Sequence, residues 1–564
     1  MTHGIIKKGP YVRNGLSRCR MMPSSSLAKK TKMQPEYLVA GVICLLFVMT
    51  RFFFADFYEN EWAYTAGPIK MLHPSFLTGD PFISGITSTF LLYNVLAAPF
   101  YFLFNYLPAT LICRILIWCF QIWALLKLAK TLGLTWWGCV LLFVIWLDVE
   151  QTLVAGEWII KCATAKPVSY GFVFLSLDNL LRGRLKRSGI FSGLAISFHV
   201  LVGLWSTAAI VSTIVLTRKG GREVLSFCMA AFLWALPGLA PALYNAFFNA
   251  STMGSSAADV ARVSVLMANP FHLDPNYFIT AWEYLKVAVV FLLTIVFLKN
   301  LVVKEKALPL IVFISCLFVF FVSGIAARYG EWYLFLQYYP FRVFDAFLPL
   351  SFWMGFVLLF QEIFYRFPRR GVLLFLAVPL LIGGVNYLID RCDSEPRYGF
   401  SLRSFTTCML RTEPRLTAYN VKERYGQWNA FIRSDSLDDL KQIEVWIKEH
   451  TPMNSLFITP PWDWHFYSFT LKAERPEFVS FKYVPANGNI LSWKGRMEIL
   501  NRGQFHEMGF GILKELREHY PDLKEDELVR IKEKYGPDYI LTSSTTRFNL
   551  PLIHENNSYR LYRL

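Results

Sequence analysis

Long apolar runs separated by short polar loops dominate the first two thirds of the chain. Runs of about 17–25 apolar residues are as long as a helix must be to cross a bilayer, and about eleven are predicted here. The pattern therefore predicts a polytopic α-helical membrane protein. The predicted helices are Tyr37–Phe54, Leu111–Leu128, Trp136–Leu153, Pro167–Leu181, Gly189–Leu216 (two short helices hinged near His199), Val224–Tyr244, Tyr277–Leu298, Leu308–Ile325, Val343–Phe364 and Val372–Leu388.

Basic residues in the short loops set the predicted orientation, because Lys and Arg are retained on the cytoplasmic side. With these loops inside, the N-terminus is cytoplasmic, and an acidic loop at 55–86 lies outside. The segment Thr87–Tyr106, interrupted by Pro99, either crosses the membrane or lies along its outer surface. The basic loop that follows the helix Leu111–Leu128 lies on the cytoplasmic side only if Thr87–Tyr106 does not cross the membrane.

Three regions follow from the same pattern. Residues 1–36 are polar and basic and are predicted to be a cytoplasmic, disordered arm, and residues 37–389 form the membrane domain. Residues 390–564 have the composition of a soluble α/β domain on the periplasmic or extracytoplasmic side of the inner (cytoplasmic) membrane. The elements predicted for that domain are helices at Leu437–His450, Trp493–Tyr520 and Lys524–Tyr535 and strands at Ser455–Thr459, Glu477–Tyr483, Tyr539–Thr542 and Tyr559–Leu561.

Composition supports a membrane protein. Of the 564 residues, 54% are hydrophobic and 17% are charged, whereas soluble domains carry roughly 25% charged residues. The net charge of +16 is concentrated in short loops, so it indicates membrane lipids as neighbours and excludes nucleic acid as the expected partner. No cysteine lies in a CxxC motif, and Cys392 and Cys408 can pair only in an oxidising compartment.

Four carboxylates stand among aromatic residues in the first outer loop. They are Asp56, Glu59, Glu61 and Asp80. An acidic, aromatic loop at a membrane face favours a functional site. The alternative is a solvated loop with aromatic residues at the membrane interface.

Two stretches carry a resemblance to known proteins. LLRGRLKRSGIFSGLAISFHVLVG, which runs through His199, and EVWIKEHTPMNSLFITPP in the C-terminal region are similar to an uncharacterised, GT-C-like group of bacterial membrane proteins. The acidic outer loop, the following apolar segment and the outer C-terminal domain also resemble the GT-C superfamily of membrane glycosyltransferases. The resemblance implies a cell-envelope enzyme that transfers a sugar from a polyprenyl-phosphate-linked donor, or another lipid-linked substrate, to an acceptor at the outer face.

The resemblance also implies a role for the first outer loop. In the superfamily an acidic residue of this loop acts as general base or holds a divalent metal ion, and the matching stretch here is DFYENEWAY. An Asp-Asp or Asp-Glu pair is replaced by Asp56, Glu59 and Glu61. Glu61, beside aromatic residues, is the predicted base, with Glu59 and Asp56 as the other candidates.

A lipid phosphate that leaves during transfer needs cationic stabilisation. Arg342, at an outer helix end, is the first candidate, and its alternative role is to snorkel towards lipid headgroups. His199, at membrane depth, either faces a cavity or is structural. Glu157 and Lys161 have the spacing of an i,i+4 helical pair. The predicted substrate-binding residues are Arg342, His199, Asp80, Lys166, Arg262 and His272.

Two other functions fit the same pattern. A transporter or flippase of a lipid-linked saccharide would also be polytopic, but such proteins often show internal repeats, and the sequence shows none. A non-catalytic membrane scaffold that binds a partner through its C-terminal domain is the third possibility.

Overall fold

The protein is described by a computed structural model that covers residues 35–367 and 435–564, apart from residues 59, 82, 84, 85, 150, 218, 219, 245–255, 300–303 and 486–488. The predicted helix Val372–Leu388, the Cys392–Cys408 pairing, Glu59 and nearly all of the N-terminal arm lie outside the described residues.

Helices build the membrane part of the structure. A π-helical turn, Ser264–Ala268, follows the short helix Ala257–Val263. The described helices are Pro35–Phe52 (α1), Trp62–Leu72 (α2), Ile86–Thr89 (α3), Leu91–Leu103 (α4), Tyr106–Leu132 (α5), Trp136–Val149 (α6), Ala165–Leu181 (α7), Leu185–Phe198 (α8), Val200–Thr217 (α9), Gly221–Tyr244 (α10), Ala257–Val263 (α11), Pro270–Leu273 (α12), Pro275–Phe278 (α13), Ala281–Lys299 (α14), Lys304–Tyr329 (α15), Tyr333–Leu336 (α16) and Arg342–Arg366 (α17).

Seven of the described helices are long and apolar enough to cross a membrane, namely α1, α5, α9, α10, α14, α15 and α17. The prediction of a polytopic α-helical membrane protein is therefore confirmed, but the count of eleven helices is not. The described α6 and α7 have only 14 and 17 residues. Helix α17 is buried along most of its length and lies in the centre of the bundle.

The segment between the first two long helices does not form a long helix. Helix α4 has 13 residues, which at 1.5 Å per residue is about 20 Å, shorter than the roughly 30 Å hydrocarbon core. It packs on α2, where a side chain at Gly67 would meet Asn94 Oδ1 at 2.6 Å. The length of α4 favours the outer-surface alternative over a crossing.

The predicted hinge near His199 is confirmed. Helix α8 ends at Phe198 and α9 begins at Val200. Helix α8 packs closely on α10 because Gly189 and Gly193, four residues apart, face the backbone of α10. A Cβ at these glycines would lie 2.4 Å from Phe227 O and 2.3 Å from Ala231 O, as expected where small residues let membrane helices approach.

The C-terminal domain is α/β, as predicted, and its described strands are Phe457–Ile458 (β1), Tyr539–Ser543 (β2), Leu552–Glu555 (β3) and Tyr559–Arg563 (β4). They form a four-stranded sheet in the order β1-β2-β4-β3, in which β1 and β2 are parallel and the other neighbours are antiparallel. The helices of the domain are Asp435–His450 (α18), Phe469–Lys472 (α19), Asn489–Leu500 (α20), Gly511–His519 (α21) and Glu525–Tyr535 (α22), with the 3₁₀-helices Trp464–Ser468 and Tyr520–Asp522.

Two predictions for this domain are wrong. Residues 477–483 form only an isolated bridge between Phe457 and Glu477, not a strand. The predicted helix Trp493–Tyr520 is interrupted between Leu500 and Gly511, where Gly509 has a positive φ of 56°. Such a backbone conformation cannot continue a right-handed helix.

The C-terminal domain docks on the loops at one end of the helical bundle, called here the loop end. The Trp62 and Tyr483 rings lie 3.7 Å apart, and Lys472 Nζ lies 3.0 Å from Asp56 Oδ2. Further along, the Phe271 and Phe510 rings stack at 4.5 Å. The domain therefore contacts both the first loop and the 270–273 helix.

We predict that the loop end faces the outside of the cell. In a variant without its ten native cysteines, a cysteine replacing Lys186 should resist an impermeant maleimide, and one replacing Lys441 should react. Both lysines are exposed, and the basic loop that holds Lys186 should be retained in the cytoplasm. Labelling is measured on intact cells, with permeabilised cells as the control. The reverse labelling pattern would reject this orientation.

Candidate functional site

Residues 151–164 connect α6 to α7 without regular structure, yet most of them are buried. Buried backbone N–H and C=O groups need partners, and at membrane depth irregular backbone persists only where protein satisfies it. Gln151 Oε1 accepts hydrogen bonds from the N–H groups of Ile159 and Ile160 at 2.9 and 2.7 Å. The Gln121 side chain of α5 donates to Ile159 O at 2.8 Å. Side chains thus fix this segment.

Asp345 holds the first half of the segment. Its Oδ1 accepts hydrogen bonds from the backbone N–H groups of Leu153, Val154 and Ala155 at 3.0, 2.7 and 3.1 Å. Its Oδ2 accepts from Glu157 N at 3.1 Å. Since Asp345 is fully buried in α17, it ties the segment to the central helix.

This anchoring places the Glu157 carboxylate between two cations. Lys166 Nζ, in the first turn of α7, lies 3.0 Å from Glu157 Oε1, and Arg342 Nε, at the start of α17, lies 3.1 Å from Oε2. The Tyr170 hydroxyl donates to Oε1 at 3.1 Å. Glu157, Lys166 and Arg342 are named the cationic cluster below, because together they carry a surplus positive charge.

The two cations are not saturated by Glu157. Arg342 Nε makes no hydrogen bond to the described residues, although it stands within ion-pair distance of Glu157. Its guanidinium lies 3.8 Å from the centre of the Tyr339 ring, and Lys166 Nζ lies 3.7 Å from that of Trp158. Aromatic faces attract cations without neutralising them. Among the described residues, Arg342 Nε therefore remains a buried donor without a hydrogen-bond acceptor.

The cluster holds Glu157 in its ionised form. Burial opposes the charge, but the positive charges of Lys166 and Arg342 outweigh burial and lower the pKa of Glu157 below its usual range. Because Arg342 stays protonated and balances Glu157, the surplus charge is that of Lys166. Burial lowers the pKa of Lys166 to about 8, so its ammonium group is charged at neutral pH and loses its proton as the pH rises above 8.

Two histidines border the cluster. His199 stands at the break between α8 and α9, and the charges of Arg342 and Lys166 act on it. His272 in α12 approaches Ala155 O with its Nδ1 at 2.5 Å. Burial and the neighbouring Arg342 lower the pKa of His272 to about 3, so its ring is neutral. Thus four predicted substrate-binding residues, Arg342, Lys166, His199 and His272, meet in one place.

The first-loop acid Glu61 lies elsewhere, in a closed ion pair. Its carboxylate is fully buried and accepts hydrogen bonds from Arg114 Nε at 3.0 Å and Nη2 at 2.6 Å. It also accepts from Tyr58 N at 2.8 Å and Ala163 N at 2.6 Å. The catalytic role of Glu61 stays a prediction. This bonding favours a positioning role that joins the first loop to residues 151–164.

The other first-loop acids face the C-terminal domain. Asp56 pairs with Lys472, and Asp80 accepts from Ile83 N at 3.1 Å and Glu477 N at 3.4 Å. Arg262 lies in the last turn of α11 and is exposed. Their site roles stay predictions. Among the described residues, no group of three His, Cys, Asp or Glu side chains is arranged to hold a metal ion.

One further contact differs from the sequence interpretation, and a second residue, Asp274, stabilises a turn. Glu157 and Lys161 do not form a helical pair, because residues 151–164 are not helical. Asp274 caps α13 by accepting from Asn276 N at 3.0 Å and pairs with Arg328 at 2.8 Å. Asp274 therefore stabilises the turn that carries His272.

Sequence reasoning missed Arg114 and Asp345 and did not include Glu157 among the predicted site residues. Arg114 had a signal, since a charge within an apolar helix marks a buried pair or a site. Asp345 has the same signal, one turn after Arg342 in α17. The partners of both residues lie 53 or more positions away, so spacing could not reveal them.

Comparisons with known proteins give one partial family match. A family model described as a domain of unknown function (DUF6798) matches residues 438–500. No curated protein sequence matches the chain.

Three crystal structures are similar to this chain. ArnT from Cupriavidus metallidurans in the apo state has 11% identity and a TM-score of 0.49, over 93% of this chain and 97% of that one. The same protein bound to undecaprenyl phosphate has 10% identity and a TM-score of 0.47, over 94% and 97%. The apo oligosaccharyltransferase from Archaeoglobus fulgidus has 10% identity and a TM-score of 0.46, over 92% and 70%. All three TM-scores are below 0.5, and these likenesses assign no role to any residue here.

Breaking the Glu61–Arg114 pair should destabilise the fold. Arg114→Met leaves the Glu61 carboxylate buried without its cation, which typically costs about 3–5 kcal/mol. Glu61→Gln leaves the Arg114 guanidinium buried without its anion in the same way. We expect both variants to unfold at clearly lower temperature in detergent, measured by intrinsic fluorescence.

The double variant Glu61→Gln/Arg114→Met separates pairing from general damage. Its loss should be smaller than the sum of the single losses, since the residues act together. Arg366→Ala, which breaks an exposed pair with Glu362, is the control and should cost less than about 1 kcal/mol. If the loss of stability in the double variant equals the sum of the losses in the two single variants, Glu61 and Arg114 do not act as a pair.

Asp345→Asn should loosen residues 151–164. The amide offers one oxygen instead of two and turns an N–H₂ donor towards backbone N–H groups. Charge-assisted hydrogen bonds contribute about 1.5–3 kcal/mol each, so local hydrogen exchange should quicken at least roughly tenfold. Mass spectrometry of peptides from 151–164 measures this, with α8–α9 peptides as the internal control. Unchanged exchange would show that Asp345 does not hold the segment.

Proposed function

We propose that the cationic cluster binds the phosphate of a lipid-linked sugar, and that the protein is a GT-C-like glycosyltransferase. The observation that carries the proposal is the buried surplus charge: Lys166 and Arg342 face one carboxylate, Glu157. Burying a cation without a full complement of partners costs free energy. Such an arrangement is stable when an anionic ligand completes it.

A phosphate fits this surplus better than a carboxylate does. Phosphate oxygens accept several charge-assisted hydrogen bonds at once, and a guanidinium can bind two of them in parallel. Lys166 adds a point charge from the other side of Glu157. When a sugar–phosphate bond breaks, negative charge builds on the departing phosphate, and fixed cations stabilise that charge.

The position of Arg342 supports a lipid as the carrier of the phosphate. It begins α17, one of the helices long enough to cross the membrane. The side chains of Trp332, Leu334 and Tyr338, just before α17, are exposed. Aromatic and apolar side chains in such a position suit the membrane interface, where a phosphate headgroup would lie.

The surroundings of the cluster support a sugar next to the phosphate. Tyr339 and Trp158 present ring faces to the two cations. Burial raises the pKa of Tyr64, whose hydroxyl also feels the charges of Arg342 and Glu157. Such rings provide apolar faces and phenolic hydroxyls, both of which suit a sugar. The base that takes the acceptor's proton stays a prediction among Asp56, Glu59 and Glu61.

Arg342 is the residue whose removal should test the proposal. Arg342→Ala should weaken binding of undecaprenyl phosphate at least tenfold, because charge-assisted hydrogen bonds contribute about 1.5–3 kcal/mol each. Arg342→Lys should lose less, since it keeps the charge without the planar fork. Binding is measured by microscale thermophoresis of the detergent-solubilised protein.

The same helix supplies the control. Arg366→Ala changes an exposed arginine at the opposite end of α17 and should leave binding unchanged. If Arg342→Ala binds like the wild type, the cluster is not a phosphate site. If the protein moves a labelled lipid-linked sugar across the membrane of proteoliposomes with the sugar still attached, the protein is a transporter instead.

A further inference from the structure

The backbone fixes the proton of His199 on one ring nitrogen. His199 precedes α9, and its Nδ1 lies 3.3 Å from Val202 N, which donates to it. A backbone N–H can only donate, so Nδ1 must offer its lone pair. The ring proton therefore sits on Nε2, and His199 presents an N–H donor there.

The backbone fixes the proton of His272 on the other ring nitrogen. Its Nδ1 lies 2.5 Å from Ala155 O, and a carbonyl oxygen only accepts, so Nδ1 carries the hydrogen. Burial and Arg342 lower the pKa of His272 to about 3, which keeps the second nitrogen unprotonated. His272 therefore presents a lone pair on Nε2.

Both rings lie in the surroundings of Arg342. The His272 ring is 6.2 Å from the Tyr339 ring, on which the Arg342 guanidinium rests at 3.8 Å. The His199 ring is 6.0 Å from Phe90, and it lies close enough to Arg342 and Lys166 for their positive charges to act on it. Within residues 35–367 and 435–564, as far as the structure describes them, neither Nε2 has a hydrogen-bond partner.

We propose that this pair of histidines selects a ligand carrying both a phosphate and a free hydroxyl group. The His199 Nε2–H donates to an oxygen of the phosphate held by Arg342 and Lys166. His272 Nε2 accepts a hydrogen bond from a hydroxyl of the attached sugar. The inference rests on the proposed function, and it assigns the recognition of the phosphate to His199 and the recognition of the attached sugar to His272.

Asparagine and glutamine separate the two ring nitrogens. Asn reaches the position of Nδ1 and keeps the backbone contact, but it has no group at the position of Nε2. Gln reaches the position of Nε2, where its amide can donate or accept. If the histidines contact the ligand, the Gln variant at each position should bind the ligand more tightly than the Asn variant does. If they only hold the backbone, the order should be reversed.

The probes are undecaprenyl phosphate and undecaprenyl phosphate bearing a single hexose. His272→Asn should weaken binding of the hexose-bearing lipid about tenfold, because losing one hydrogen bond leaves a buried hydroxyl of the hexose unpaired. The same variant should bind undecaprenyl phosphate as tightly as the wild type does. His199→Asn should weaken both lipids by a similar factor. Gln at either position should recover most of the loss.

A spectroscopic measurement tests the tautomers directly. In protein labelled with ¹⁵N-histidine, the signals assigned through the single variants should show protonated Nε2 in His199 and protonated Nδ1 in His272. The same tautomer in both would overturn the inference, as would equal losses on the two lipids for His272→Asn. If the wild-type protein binds neither lipid, the proposed function itself fails.

Discussion

The rest of the site depends on satisfying the backbone of residues 151–164, which are buried without forming a helix or a strand. An unpaired buried N–H or C=O group costs about 1–3 kcal/mol, so the segment needs partners throughout. Gln121 and Asp345 supply them from the helices on either side, and Glu61 supplies one from the first loop. Because these anchors come from distant parts of the chain, the segment that carries Glu157 is built only when the bundle closes around it.

The buried charges at the loop end are of two kinds. Glu61 and Arg114 form a closed pair: the carboxylate accepts four hydrogen bonds, and the guanidinium also donates to Asp56 O at 2.9 Å. Such a pair is complete and favours one arrangement of the loops. The cationic cluster is open, since two cations share Glu157 and Arg342 Nε has no hydrogen bond to the described residues. The cost of a buried charge without partners explains why the first pair is closed, and it supports the proposal that the second group binds an anion.

Hydropathy predicted the seven described helices that are long enough to cross a membrane, because burial in lipid acts on each segment by itself. The break at His199 was predictable for the same reason, as 28 residues from Gly189 to Leu216 exceed one ordinary span. Pairings across the chain were not predictable. The Arg114–Glu61 contact joins positions 53 apart, and the Asp345–Glu157 contact joins positions 188 apart. The composition of the acidic first loop marked it as a candidate site, whereas the local pattern at Glu157 was its i,i+4 spacing from Lys161, which was misleading because residues 151–164 are not helical.

The C-terminal domain is coupled to the site through its docking contacts. Trp62, which packs on Tyr483, stands two residues before Tyr64 in α2. Phe271, which stacks on Phe510, immediately precedes His272 in α12. The domain thus contacts the two short helices that bring Tyr64 and His272 to the cationic cluster. Helices this short gain little stability from their own hydrogen bonds, so tertiary packing must hold them. Docking of the C-terminal domain is therefore part of what positions the aromatic and histidine side chains around the cationic cluster.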